Sequence, residues 1–240
     1  MENSDIGTVK KNRIALTSVI AAVFLTSFKL VVGLLTGSLG IISEALHSGL
    51  DLIAAVITLF AVRIADLPAD NEHNYGHGKV ENLSAMIETF LLFVTCFWII
   101  YESISRLISR RPIEINAFSY IVIITSIIID FSRSRALYSV ARKYNSQALE
   151  ADALHFSTDI WSSLVVLIGL IAYNSFHLIY ADSIAALIVA MIVLSVSYRL
   201  GRRAFDVLID RAPTKIVDQI NLVIEKIPGV KKYHDLRVRE

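Results

Sequence analysis

Ala45-Leu46-His47-Ser48-Gly49-Leu50-Asp51 and Ala153-Leu154-His155-Phe156-Ser157-Thr158-Asp159 share one pattern, A-L-H-x-x-x-D, and each lies in an apolar run long enough to cross a bilayer. An i, i+4 spacing sets histidine and aspartate on one helix face, about one turn apart. An imidazole and a carboxylate in hydrocarbon are costly unless paired, solvated or bound to a cation. Two such pairs on two helices supply two nitrogens and two oxygens, enough to close a tetrahedron around one divalent cation. A chance pair on a helix surface is the bland reading. It loses ground when two copies sit near the middle of two apolar runs. A proton relay without metal would use the same four residues.

Around these runs the chain is 55% hydrophobic and 19% charged, with a mean hydropathy of +0.59, a balance that points to a membrane protein rather than a soluble domain. A net charge of +1 gives no basis for a nucleic-acid partner. Cys96 is the single cysteine, so neither an internal disulfide framework nor a thiolate zinc cluster is expected. The first apolar run follows a polar stretch ending at Arg13 and is too long for a signal-peptide core. It is read as an uncleaved membrane segment.

The hydropathy pattern predicts an all-α membrane protein with six transmembrane helices, over residues 14–37, 40–65, 80–108, 117–140, 148–173 and 179–200. Residues 1–13 are then a cytoplasmic tail, 14–203 the six-helix domain, 204–213 a linker and 214–240 a partial cytoplasmic domain. In that last segment 215–226 keeps helical spacing and 230–239 alternates in polarity like a strand. This is the start of a small α/β domain, truncated in this chain. Lys10, Lys11, Arg13, Arg63, Lys79, Arg133, Arg135, Arg142, Lys143, Arg199, Arg202 and Arg203 fall on one side of the spans. Only Arg106, Arg110 and Arg111 fall on the other, which places both termini in the cytoplasm.

The paired motifs, taken with Gly37-Ser38-Leu39-Gly40, with His73-Asn74-Tyr75-Gly76-His77-Gly78-Lys79-Val80-Glu81 and with Leu208-Ile209-Asp210-Arg211, resemble the cation diffusion facilitator family, in its bacterial zinc/proton antiporter form. The resemblance implies a homodimer in the bilayer, each protomer moving a divalent metal outward in exchange for protons, with no organic cofactor and no enzyme activity. It carries the transport ligands onto His47, Asp51, His155 and Asp159, and favours zinc as the bound and transported ion. Iron, cobalt, cadmium and manganese are the alternatives within the family. A bacterial inner membrane is the implied location.

Two further sites follow from the same resemblance. Asp70, His73 and His77 match a second metal site in the connection after the second span. Their spacing suits a three-ligand exposed cluster with water as the fourth ligand, or equally a solvated loop whose histidines sense pH. His234 resembles the first ligand of a cytoplasmic zinc cluster, and Lys79 and Asp210 match an ion pair joining the spans to the soluble domain. Asp130 with Arg133 and Arg135 is read as forming ion pairs at the inner end of the fourth span, while Lys29 and Glu44 either pair, snorkel or face the cavity. Glu88 and Glu102 are placed near the dimer interface, and Trp98, Tyr101, Tyr173 and Tyr180 in an aromatic belt. An intramembrane metallohydrolase would need a general base beside the metal, which neither motif provides. A membrane metal sensor would bind the ion without moving it.

Overall fold

A computed structural model of the chain describes residues 2–37, 39–109, 117–176, 181–212, 214–230 and 232–238. They form α1 (Glu2–Thr36), α2 (Leu39–Ala65), α3 (Lys79–Ser109), α4 (Ala117–Tyr144), α5 (Gln147–Phe176), α6 (Ala181–Leu208) and α7 (Thr214–Ile224). Arg110, Arg111 and the belt residue Tyr180 lie outside the described residues, as does the side chain of Tyr173.

Short, well-capped connections set neighbouring helices side by side. Between α4 and α5 the chain reverses at Asn145, whose φ of 51° is the left-handed conformation asparagine tolerates better than most residues. The Ser146 N–H donates to the Ala141 carbonyl at 3.0 Å, and the Ser146 hydroxyl accepts the Leu149 N–H at 3.4 Å. One residue pair thus ends α4 and caps α5. Helix α1 packs most extensively on α2, α3 on α6, and α4 on α5. Helix α5 also meets α2, α3 and α6, which makes it the hub of the bundle.

The packing is inverted relative to a water-soluble protein. Lys29, Asp51, Glu88, Asp130, Arg133, Asp152 and His155 are buried, whereas Phe24, Leu35, Phe60, Phe90, Phe97 and Trp98 are exposed. Lipid offers no hydrophobic drive to bring helices together, so close contact must do so. The main cluster accordingly sets Ala15, Ala61, Ala141, Ala148 and Ala153 around Leu59, Leu137, Leu149 and Phe156. At the α3–α6 crossing, Gly201 lets the helices approach so closely that a Cβ there would lie 2.6 Å from Thr89 Cγ2.

Two sequence expectations are corrected. Among the described residues three helical segments are long and apolar enough to cross a membrane, Ile6–Thr36, Glu44–Ala65 and Lys79–Ser105, rather than six. Among the described side chains charge breaks the remaining helices: α4 from Tyr120 onward carries Asp130, Arg133, Arg135, Arg142 and Lys143, α5 through Val165 carries Glu150, Asp152 and Asp159, and α6 from Ala186 onward carries Arg199, Arg202, Arg203 and Asp206, while much of the apolar remainder of α5 and α6 lies outside the described side chains. The second correction concerns the α/β domain. No described residue belongs to a β-strand, and after α7 residues 232–238 have no regular structure. Alternating polarity makes a strand only when a neighbouring edge pairs with it, and none is described here. The described fold is all-α.

Candidate metal centre

Helices α2 and α5 bring the two A-L-H-x-x-x-D motifs face to face. His155 Nε2 lies 3.0 Å from Asp51 Oδ1 and 3.7 Å from Asp159 Oδ2. His47 Nε2 lies 3.7 Å from Asp159 Oδ1 and 3.9 Å from Asp51 Oδ1. Each carboxylate therefore touches both imidazoles. Asp51 and His155 are buried, and His47 and Asp159 are partly so. His47, Asp51 and Asp159 each offer a ligand atom within 4.8 Å of the other two, and His155 joins them through its contacts with the two carboxylates. Asp159 Oδ2 is buried without a hydrogen-bond partner among the described residues, which suits a metal-ligand oxygen.

Neighbouring helices hold this arrangement. From α1, Lys29 Nζ donates to Ser48 Oγ at 2.8 Å and to Glu44 at 3.2 Å, and Thr26 donates to the Ser48 carbonyl at 2.9 Å. These bonds fix the turn of α2 that carries His47. On the far side, Arg133 reaches Asp130 at 3.2 Å and Ser18 Oγ at 3.1 Å, and stacks on the Phe156 ring at 3.5 Å. Ser18 in turn donates to Asp152 at 3.3 Å. Buried charges are thus tied together in a network rather than left alone.

Glu88 lies on α3, the span that the resemblance sets beside the dimer interface. It is fully buried inside the bundle, with Oε2 3.6 Å from His155 Nδ1. The signal available in the sequence was its position four residues after Ser84, since both are buried on the same face of α3.

The loop between α2 and α3 gathers Asp70, His73 and His77. Asp70 lies 3.2 Å from His73 Nδ1 and 3.5 Å from His77 Nε2, and the two rings are 4.4 Å apart. Asp70 also organises the turn, since its Oδ1 accepts the N–H groups of His73 at 2.5 Å and Glu72 at 2.9 Å. Those N–H donors, the one from His73 foremost, hold the Asp70 carboxyl below its ordinary pKa. Gly76, at φ 80°, supplies the positive φ that brings His77 back toward Asp70.

This loop opens onto a vestibule of about 1020 Å³ whose walls include Lys11, Asp66, His77, Lys79 and Glu81. Lys11 Nζ bridges Asp66 at 2.5 Å and Glu81 at 3.1 Å, pinning α1 to the facing ends of α2 and α3. Lys79 pairs with Asp210 at 2.8 Å, and Arg203 with Glu150 at 3.0 Å. His234 stands apart: it is exposed beside Asp235 at 3.3 Å and joins no three-residue cluster among the described residues.

The family profile of the cation efflux transmembrane domain matches residues 15–209. The chain is 34% identical over 224 residues to an uncharacterized transporter of Methanocaldococcus jannaschii, covering 92% of this chain and 78% of that protein. It is 30% identical over 228 residues to the cation-efflux pump FieF of Shewanella oneidensis, covering 93% and 75%. It is 32% identical over 239 residues to the cation-efflux pump FieF of Salmonella agona, covering 97% and 77%.

Proposed function

The chain belongs to the cation efflux family of integral membrane transport proteins, not to an enzyme family, and from that premise we propose that it exports Zn²⁺ in exchange for protons. The observation that carries this reading is that Asp51 and Asp159 each contact both His47 and His155, at 3.0–3.9 Å. Two carboxylates offset the charge of a divalent ion in a low-dielectric surrounding, where a bare cation could not rest. Two imidazoles and two carboxylates in a tetrahedron suit zinc; an oxygen-rich octahedron would suit magnesium or manganese.

Transport proceeds by alternating access. Zinc reaches the site from the vestibule face, and binding requires neutral imidazoles and ionised carboxylates, so protons leave as the metal arrives. After reorientation, protons from the opposite side compete for the same lone pairs and expel the metal. Histidine suits such exchange because its ordinary pKa lies near physiological pH. The vestibule end carries Lys10, Lys11, Arg63, Lys79, Arg142, Lys143 and Arg203, which supports its placement in the cytoplasm with both termini. The working unit is a homodimer in a bacterial inner membrane. Asp70, His73 and His77 hold a second ion at the vestibule, and His234 contributes a ligand only where other groups meet it. In domain terms, 14–203 houses the transport site, 204–213 links it onward, and 1–13 and 214–240 flank it on the cytoplasmic side.

The test is metal uptake into proteoliposomes, with zinc, iron, cobalt, cadmium and manganese compared, with and without an acidic lumen. Zinc should accumulate most, and only while the pH gradient persists. Saturable zinc binding without uptake would identify a sensor instead. Uptake indifferent to the gradient would remove proton exchange.

A further inference from the structure

We propose that Glu88 is a positioning residue for the metal site, accepting the Nδ1–H of His155 so that the Nε2 lone pair faces the cation. The inference rests on the reading that His155 is a metal ligand. It comes from a chain of contacts running through three helices. Thr58 on α2 donates its hydroxyl to Glu88 Oε1 at 3.1 Å, and stands 3.5 Å from Ser84 Oγ. That bond fixes one carboxylate oxygen and leaves the other, Oε2, aimed at His155 Nδ1 across 3.6 Å. Among the described residues neither Glu88 Oε2 nor His155 Nδ1 has a hydrogen-bond partner, and both are buried. Closing the gap by a few tenths of an ångström satisfies both at once.

The chemistry selects one orientation. A neutral imidazole carries a single proton, and the nitrogen that lacks it is the ligand. With the proton on Nδ1 and Glu88 accepting it, Nε2 is free where it faces Asp51 and Asp159. With the proton on Nε2 instead, the Nδ1 lone pair would face a buried carboxylate, lone pair against lone pair. Histidines at metals commonly donate their second nitrogen to a carboxylate for this reason, and loss of that partner typically lowers metal affinity ~10–100-fold. Among the described residues the ion-pair contacts of His47, which is partly exposed, are with Asp51 and Asp159 of the site itself. Glu88 therefore makes the two histidines unequal, with His155 the oriented anchor.

The test is zinc titration calorimetry on the full chain with Asp70 and His73 replaced by alanine, so that the loop takes no metal. Glu88→Leu should weaken binding ~10–100-fold, and Glu88→Gln, which still offers an acceptor oxygen, should stay within about threefold. Equal losses in both variants would assign Glu88 a charge role and overturn the proposal, as would an unaltered affinity in Glu88→Leu. A second readout needs no substitution at Glu88. In the zinc-loaded parent with ¹⁵N-labelled histidine, solid-state NMR should show Nε2 metal-bound and a strongly hydrogen-bonded Nδ1–H on His155. Zinc on Nδ1, or an Nδ1–H without a hydrogen bond, would overturn it. A parent that binds no zinc would reject the transport site itself, an outcome distinct from a parent that binds and a Glu88→Leu variant that binds equally well.

Discussion

Replacing Asp51 by asparagine should lower zinc uptake at least ~100-fold, beyond what loss of a ligand's supporting partner usually costs. Asparagine keeps the volume of aspartate and can still hydrogen-bond His155, so the bundle should hold together. What disappears is half of the site's anionic charge, from the one carboxylate oxygen that contacts both imidazoles at 3.0 and 3.9 Å. A divalent ion among one carboxylate and two neutral rings is left under-compensated where solvent cannot help. The measurement is initial-rate uptake in proteoliposomes, with the amount of inserted protein checked in each preparation. An uptake rate close to that of the parent would show that Asp51 does not bind the transported ion.

Replacing Lys11 by methionine should destabilise the protein by ~3–5 kcal/mol, the usual cost of removing one partner from a buried ion cluster. Lys11 is 9% exposed and lies between Asp66 and Glu81, so its loss leaves two enclosed carboxylates facing each other. Methionine preserves the apolar stem, which confines the change to the charge. Thermal unfolding in detergent reads the effect, and Lys11→Arg should recover much of it because the cation returns. Adding Glu81→Gln to Lys11→Met should also recover part, by removing one of the two repelling charges. Unchanged unfolding in the methionine variant would mean that the cluster is solvated and contributes nothing to holding α1 against α2 and α3.

His47, Asp51, His155 and Asp159 could be read in the sequence because polar residues at helical spacing are conspicuous inside apolar runs. Their meeting across α2 and α5 is a property of the fold. Glu88 shows where that signal fails. One residue on a helix can face lipid, a second protomer or the interior, and only packing of α3 against α5 and α2 decides between them. Lys11 is a similar case: in the sequence it marks orientation, whereas its contacts with Asp66 and Glu81 span 55 and 70 residues. The expected count of spans was carried by apolar halves of helices whose other halves are charged. In α4 and α5 Asp130, Arg133 and Asp152 are buried whereas Arg135, Arg142 and Lys143 are exposed, and hydropathy alone does not tell the inward charges from the outward ones. The anticipated strand after α7 rested on local alternation, and a ladder needs a partner that local sequence cannot supply.

X-ray absorption at the zinc edge, on the chain with Asp70 and His73 replaced by alanine, addresses the four-ligand site most directly. The predicted result is one tightly held zinc per protomer, with a shell of four nitrogen and oxygen atoms at ~2.0–2.1 Å that includes two imidazoles. A spectrum without imidazole scattering, or one that stays the same when Asp51 and Asp159 are both replaced by alanine, would contradict it.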